Sequence, residues 1–173
     1  MKKLIYIVCI ASLVGCKTSK NRTDQTQANN QLTSIQEFSP ELLNNIKVNS
    51  DLSFSTGKCF GECPVFDVFY LKDSVLILSS QENLLEMGTY YHLPSDTDKV
   101  EFNAIMNMQW SIYDRYYKSL MKDLPPYSFQ VKMGNELKKI SVNGKGPDEL
   151  FELKERLIKK VKDLNWIQLE QSE

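Results

Sequence analysis

Two adjacent segments of the sequence are apolar on both of their alternating faces, which restricts where they can lie in a fold. Val65–Leu71 reads Val-Phe-Asp-Val-Phe-Tyr-Leu, and residues 75–78 read Val-Leu-Ile-Leu. Successive residues of a β-strand point to opposite faces of the sheet, so these segments need apolar cover on both faces. The pattern predicts a central hairpin with a tight turn at Lys72 and Asp73. Asp67 is the polar exception on its face.

The remaining periodic segments predict further strands and two helices. Alternating residues predict strands at Leu52–Thr56, residues 85–91, Tyr127–Met133 and residues 137–142. A polar stretch at residues 79–83 predicts the turn before the strand at 85–91, and Gly134-Asn135 predicts the turn of the last hairpin.

Both helices have recognisable starts. Ser95 and Asp98 have the Ser-x-x-acid spacing of a helix start, which predicts a helix at residues 96–108. Its predicted apolar stripe consists of Val100, Ala104, Ile105 and Met108, flanked by Phe102. The second helix begins at Pro147 and carries leucines at helical spacing.

The order of these elements predicts the fold class and the domain boundaries. Hairpin-length connections in the order ββββ-α-ββ-α indicate an α+β fold, with a mainly antiparallel sheet covered by two helices. The chain has 173 residues, of which 42% are apolar and 25% charged. That length and composition suit one domain, which we place at residues 45–168.

The N-terminus has the pattern of an export signal. Lys2 and Lys3 precede an apolar stretch that is too short to span a membrane. The following Leu13-Val14-Gly15-Cys16 resembles the bacterial lipobox. The resemblance implies that residues 1–15 are a signal peptide and that Cys16 becomes lipidated, so the lipid would hold the protein on a membrane.

The sequence after Cys16 predicts a tether and a location. Residues 16–44 begin with a long polar run without periodicity, which is typical of a flexible linker. In lipoproteins an Asp after the lipidated cysteine marks retention in the inner membrane, and this chain has Lys17. We therefore expect anchoring in the outer membrane of a Gram-negative cell envelope. A net charge of −1 argues against a nucleic-acid partner.

Cys59 and Cys63 are the cysteines left for the folded domain. An even pair in an exported protein predicts a structural disulfide, and Gly61 permits the turn that such a bridge needs. The alternative is a thiol-based function, either copper binding or disulfide exchange, because the Cys-x-x-x-Cys-Pro stretch also resembles copper chaperones. Those chaperones add a distant histidine, and His92 is the only histidine here. Apart from that alternative we expect no metal and no cofactor.

A longer resemblance rests on the residues around this motif. Cys59-Phe60-Gly61-Glu62-Cys63-Pro64 resembles the Cys-Phe-Gly-x-Cys-Pro signature of a family of small exported bacterial lipoproteins, classed as a domain of unknown function. The likeness extends over most of residues 51–164. Because the family has no established activity, the resemblance implies fold and location rather than chemistry.

Aromatic residues concentrate around the long loop after the first predicted helix, and they define a candidate binding surface. These residues are Trp110, Tyr113, Tyr116, Tyr117 and Tyr127. Such a cluster can stack on a sugar or hold a protein partner, and it can equally pack at a sheet edge.

No catalytic constellation accompanies these residues, so the sequence favours a non-catalytic domain over an enzyme. We expect a lipid-anchored envelope protein that binds another envelope protein or a glycan.

Overall fold

A computed structural model describes residues 38–119 and 124–169, all within one unit that begins at Phe38. The predicted signal peptide, Cys16 and the first part of the tether lie outside the described residues. Within these ranges the elements, in chain order, are α1 Pro40–Asn49, β1 Leu52–Thr56, β2 Val65–Leu71, β3 Val75–Glu82, β4 Gly88–His92, α2 Asp96–Met106, a 3-10 turn Trp110–Ile112, β5 Tyr116–Lys118, β6 Tyr127–Met133, β7 Glu136–Asn143, α3 Asp148–Asp163 and β8 Ile167–Gln168.

The described strands form a single open sheet in the order β5-β7-β6-β1-β2-β3-β4-β8. Every neighbouring pair is antiparallel except β5 and β7. Strands β1–β4 thus form an antiparallel meander that contains the predicted central hairpin, and the β6–β7 hairpin continues the sheet on the other side of β1. The α+β class and the mainly antiparallel sheet are confirmed.

The predicted order ββββ-α-ββ-α is incomplete, because it omits helix α1 and the short strands β5 and β8 that the described residues form. The sequence indicates only a short helix at residues 40–43, whereas helix α1 continues to Asn49 with Ile46 as its buried residue. Strands β5 and β8 contain three and two residues, too few to show alternation. The boundary predicted at residue 45 lies inside α1, which packs against β2 and β3.

The central hairpin is covered on both faces, as its sequence predicts. On one face Phe66, Val68 and Tyr70 join the main core with residues of α2 and α3. On the other face Val75 and Ile77 pack with Ile46 of α1. Both faces of β2 and β3 are thus removed from water, which is the condition that apolar residues on both faces demand.

Helix α2 begins where the sequence predicts but presents a different stripe to the core. Ser95 and Asp98 form the capping box. Phe102 and Ile105 are buried, whereas 71% of Val100 is exposed. Ala104, also predicted to face the core, is exposed as well. The helix ends at Met106, two residues before its predicted end.

Strand β3 is longer and β4 shorter than predicted. The stretch at residues 79–83 was expected to turn because it is polar, yet β3 continues to Glu82. Ser79 pairs with Asp67 and Ser80 with Phe66, so the backbone hydrogen bonds of β2 extend this strand. Polarity is compatible with a strand here because one of its faces is only partly covered.

The part of the sheet beyond α1 exposes a face of small polar residues. Ser55 on β1, Ser128 on β6 and Ser141 on β7 point away from the main core. Their sequence neighbours Phe54, Phe129 and others of the same strands point into it. We call this surface the open face. No described helix is long and apolar enough to cross a membrane.

Candidate functional site

A cleft of about 350 Å³ lies on the open face, where β1, β6, β7 and β5 run side by side. Its lining is formed by Ser55, Thr56, Gly57, Tyr116, Pro126, Tyr127, Ser128, Ser141, Val142 and Asn143. We call it the serine cleft. Its volume lies at the small end of the range for ligand sites, which run from about 300 to 1,000 Å³.

The sheet register brings the polar side chains of the serine cleft into one row. Ser55 pairs with Ser128, Ser128 with Ser141, and Ser141 with Tyr116. Paired residues of neighbouring strands project from the same face. Within the described part of the chain, none of these four hydroxyl groups makes a hydrogen bond to protein. The row therefore has free donors and acceptors.

Tyr116 forms one side of the cleft because β5 is the edge strand of the sheet. It is 57% exposed, whereas the next residue, Tyr117, faces the core side and packs against the main cluster. The parallel pairing of β5 with β7 fixes Tyr116 beside Ser141. An exposed aromatic ring thus adjoins a row of hydroxyl groups.

The lining of the serine cleft has no charged side chain. The nearest charged positions in the register are Asp67, which pairs with Ser55, and Lys118, which pairs with Asn143. These two residues carry opposite charges and lie on opposite sides of the cleft. A charged ligand inside the cleft would find no paired countercharge in the lining, which makes its desolvation costly.

Gly57 fixes one rim of the cleft against the loop before β6. Its amide donates to the carbonyl of Pro126 at 2.8 Å. A Cβ atom at position 57 would lie 2.7 Å from Cγ of Pro126, a distance that real Cβ atoms essentially never show. The residue at this position must therefore be glycine for the two segments to meet so closely.

The loop that follows Gly57 contains the cysteine motif. The sulfur atoms of Cys59 and Cys63 lie at disulfide distance, and the two Cα atoms are 5.9 Å apart. Gly61 between them has φ of +143°, a conformation that favours glycine. The tip residue, Phe60, is 86% exposed.

Three side-chain contacts fix the two ends of this loop. Thr56 donates its hydroxyl to the carbonyl of Pro64 at 2.7 Å. Asn83 donates its side-chain amide to the carbonyl of Cys63 at 3.1 Å. An ion pair joins Lys58 to Glu82 on β3. These contacts and the cysteine pair fix the conformation of the loop, and we call the cysteine pair the structural staple of the loop.

The copper and disulfide-exchange alternative for Cys59 and Cys63 stays a prediction. Across residues 38–119 and 124–169, no group of three or more His, Cys, Asp or Glu residues could hold a metal ion. His92, the histidine available to that alternative, bonds instead to Asn165 and Asp98.

Replacing both Cys59 and Cys63 with serine is expected to lower the free energy of unfolding by about 2 kcal/mol, because the bridge closes only a small ring. Urea unfolding of the full chain measures this change. Reductant added to the wild-type protein should produce the same decrease. An unfolding midpoint that neither treatment moves would contradict the staple.

The predicted aromatic surface divides between the core and the open face. Trp110 is 1%, Tyr127 4% and Tyr113 9% exposed, so these three rings belong to the core. Tyr117 is partly buried against them. Only Tyr116 among the five presents most of its ring to solvent, and it is the one that lines the serine cleft with an exposed side chain.

Burial makes the phenol of Tyr127 a weaker acid. Desolvation raises the pKa of its phenol to about 12. Its hydroxyl has no hydrogen-bond partner among the described residues. The ring packs against Phe129, which confirms that this side chain faces the core side of β6.

A second polar cluster, which the sequence did not indicate, joins β4, α2 and α3. The Nζ atom of Lys160 lies 2.7 Å from Oδ1 of Asp98 and 3.0 Å from Oε2 of Glu101. Oδ2 of Asp98 accepts the hydroxyl of Ser95 at 2.6 Å and lies 3.2 Å from Nε2 of His92. We call these five residues the charge cluster. Lys160 is one of three lysines near the end of α3, together with Lys159 and Lys162.

The charge cluster stabilises the ionised form of Asp98. Burial alone would raise the pKa of this carboxyl, but hydrogen bonds, with that from Lys160 the largest, hold the pKa well below its usual range. For Lys160, burial would lower the pKa, and the hydrogen bonds to Asp98 and Glu101 raise it instead. Both groups are therefore charged at neutral pH, and the cluster links two helices.

His92 has no free ring nitrogen in this arrangement. Its Nδ1 lies 2.9 Å from the carbonyl oxygen of Asn165, and its Nε2 faces the carboxylate of Asp98. A general base needs a nitrogen that can accept a proton from a substrate. The position of His92 thus suits a structural contact between β4 and the segment after α3.

Residues 50–161 match the family described as a domain of unknown function, DUF6438. The chain belongs to the DUF6438 family. This match confirms that the chain belongs to a family classed as a domain of unknown function. No curated protein and no solved structure matches the chain. The matched range of the DUF6438 domain includes the cysteine loop, the serine cleft and the whole charge cluster.

Proposed function

We propose that this DUF6438 protein is a lipid-anchored component of the Gram-negative cell envelope whose domain binds a ligand without catalysing a reaction. The anchor is Cys16, after removal of residues 1–15, and the membrane is the outer one. The lipobox pattern and Lys17 support these assignments. The serine cleft is the ligand site of the domain.

The observation that carries the binding function is the row of unpartnered hydroxyl groups beside an exposed ring. Small polar residues on a sheet face can hydrogen-bond to water, so their presence alone is ordinary. In the serine cleft they line a shallow, open depression together with Tyr116, whose position beside Ser141 is set by the pairing of β5 with β7. Concavity with a few convergent polar groups is typical of ligand sites.

The surroundings of the cleft support a non-catalytic function. The serines of the cleft lie on β1, β6 and β7, whereas His92 lies on β4, which β2 and β3 separate from β1. Activation of a serine nucleophile requires an adjacent base within hydrogen-bonding reach. The lining of the serine cleft contains no histidine, lysine or carboxylate that could act as this base.

The anchor is tested by replacing Cys16 with serine in the full chain. We expect the wild-type protein to sediment with outer membranes and the Cys16→Ser protein to lose that association. Cys9→Ser is the matched control, because Cys9 lies within the predicted signal peptide and should not affect anchoring. Membrane association that survives Cys16→Ser would contradict the anchor.

The binding site is tested with a photo-crosslinking residue introduced at position 116 of the full chain in living cells. We expect a defined crosslinked product. The same residue at position 112 is the control, because Ile112 is also 62% exposed but does not line the cleft. Equal crosslinking at both positions, or none at 116, would contradict the assignment of the site.

A further inference from the structure

The hydroxyl groups of the serine cleft match a ligand that itself carries hydroxyl groups. A serine hydroxyl donates one hydrogen bond and accepts others, and the amide of Asn143 does both as well. Neighbouring strands lie about 4.8 Å apart, so Ser55, Ser128 and Ser141 form a row about 10 Å long. Ligand hydroxyls at several points along that row could be satisfied simultaneously.

The uncharged lining narrows the chemistry of the ligand further. Phosphates, carboxylates and metal ions need opposite charges or several anionic ligands, and the lining supplies neither. Asp67 and Lys118 lie beyond the lining on opposite sides. Lys139 adds a second cation on the same face, two residues before Ser141, so it is the uncharged lining itself that favours a neutral ligand.

Tyr116 provides an apolar surface next to the polar row. A sugar ring has apolar C–H faces and hydroxyl groups at its rim, so it can stack on an aromatic ring while its rim hydrogen-bonds. Tyr116 is placed for this contact because it pairs with Ser141 and remains 57% exposed. A cleft of about 350 Å³ suits a short stretch of saccharide rather than a bulky partner.

We propose that the serine cleft binds a neutral saccharide, with the ring of Tyr116 stacked on a sugar face and the serine row bonded to its hydroxyls. This inference rests on the proposed binding function and adds the chemical class of the ligand.

The test is calorimetric titration of the full chain, purified in detergent, with defined oligosaccharides. The neutral probes are trisaccharides of glucose, of mannose and of N-acetylglucosamine. The charged probes are trisaccharides of glucosamine and of galacturonic acid. We expect at least one neutral probe to bind with a Kd below about 1 mM. We expect the charged probes to bind at least about tenfold more weakly, because the lining provides no countercharge.

Two variants connect this binding to the cleft. Tyr116→Ala should weaken the affinity for the neutral probe about tenfold through loss of stacking. Ser128→Val should weaken it roughly three- to tenfold through loss of one hydroxyl. Ser79→Val is the matched control, since Ser79 lies on β3 outside the lining. Thermal unfolding of each variant confirms that it is folded.

Three results would overturn the saccharide proposal. These are the absence of binding by every neutral probe, equal or tighter binding of the charged probes, and wild-type affinity in both Tyr116→Ala and Ser128→Val. If the probes fail while crosslinking at position 116 still gives a defined product, the ligand class is wrong and the binding function stands. If crosslinking fails as well, both are wrong.

Discussion

Replacing Trp110 with alanine is expected to lower the free energy of unfolding by about 3–5 kcal/mol, the range for removal of a large aromatic side chain from a core. Trp110 is 1% exposed, and its ring lies 5.5 Å from that of Phe129 on β6. Its indole Nε1 donates to the carbonyl of Ile105 at 2.9 Å. The substitution removes ring packing and the indole hydrogen bond, while the Ile105 carbonyl keeps the backbone amide of Met108 as a donor at 3.1 Å.

The matched control for this variant lies in the same 3-10 turn. Ile112 is 62% exposed, so Ile112→Ala should change the free energy of unfolding by no more than about 0.5 kcal/mol. Urea unfolding of both full-length variants measures the difference. If Trp110→Ala were as stable as Ile112→Ala, Trp110 would not be a core residue, and its earlier interpretation as part of a binding surface would return.

Replacing Asp98 with alanine is expected to cost about 3 kcal/mol at neutral pH, because it removes one member of a largely buried ion pair. The side chains of Asp98 and Lys160 are 9% and 19% exposed. The change leaves Lys160 with Glu101 alone and also removes the capping box of α2. Asp96→Ala is the control, because Asp96 lies in the same helical turn but is fully exposed. Its ion pair with Lys99 is a surface contact, so its loss should lower the unfolding midpoint far less than Asp98→Ala does.

The cost of Asp98→Ala should depend on pH. The folded protein holds the pKa of Asp98 below its value in the unfolded chain, which is about 3.9. The stabilisation is therefore fully present above about pH 4 and is lost as the pH falls through the folded pKa. Unfolding measured at pH 7 and again below pH 3 should show a smaller difference between wild type and variant at the lower pH. An equal difference at both pH values would contradict an ionised Asp98 in the folded cluster.

The parts of the fold that the sequence predicts are those with strong local signals. Apolar residues on both faces correctly predict that β2 and β3 lie near the centre of the sheet. The strand that begins at Tyr127 ends at Met133, directly before the predicted turn at Gly134. The serine and acid of the capping box gave the start of α2. In each case a short segment contains its own physical reason for the structure.

The missing elements depend on partners that are distant in sequence. Strand β5 forms because β7 offers an unpaired edge, and β8 forms on β4 in the same way. Helix α1 is stable through contact of Ile46 with Val75 and Ile77 rather than through its own periodicity. Local patterns contain none of this information.

The serine cleft could be found in the sequence only in part. Ser55, Ser128 and Ser141 each occupy the polar position of an alternating strand, which predicts exposure but not proximity. Proximity follows from β6 pairing with β1, a connection between segments about seventy residues apart. The charge cluster was hidden for a similar reason, because Lys160 appears in sequence as one of several lysines on a solvated helix end.

The serine cleft is tested most directly by mapping backbone amide chemical shifts of the isotopically labelled full chain in detergent while the soluble fraction released from the cell envelope is added. We expect shifts concentrated at the serine cleft, in β1, β5, β6 and β7, with the charge cluster unaffected. Shifts confined to the cysteine loop at residues 57–64, or no shifts at all, would contradict the serine cleft as the ligand site of this protein.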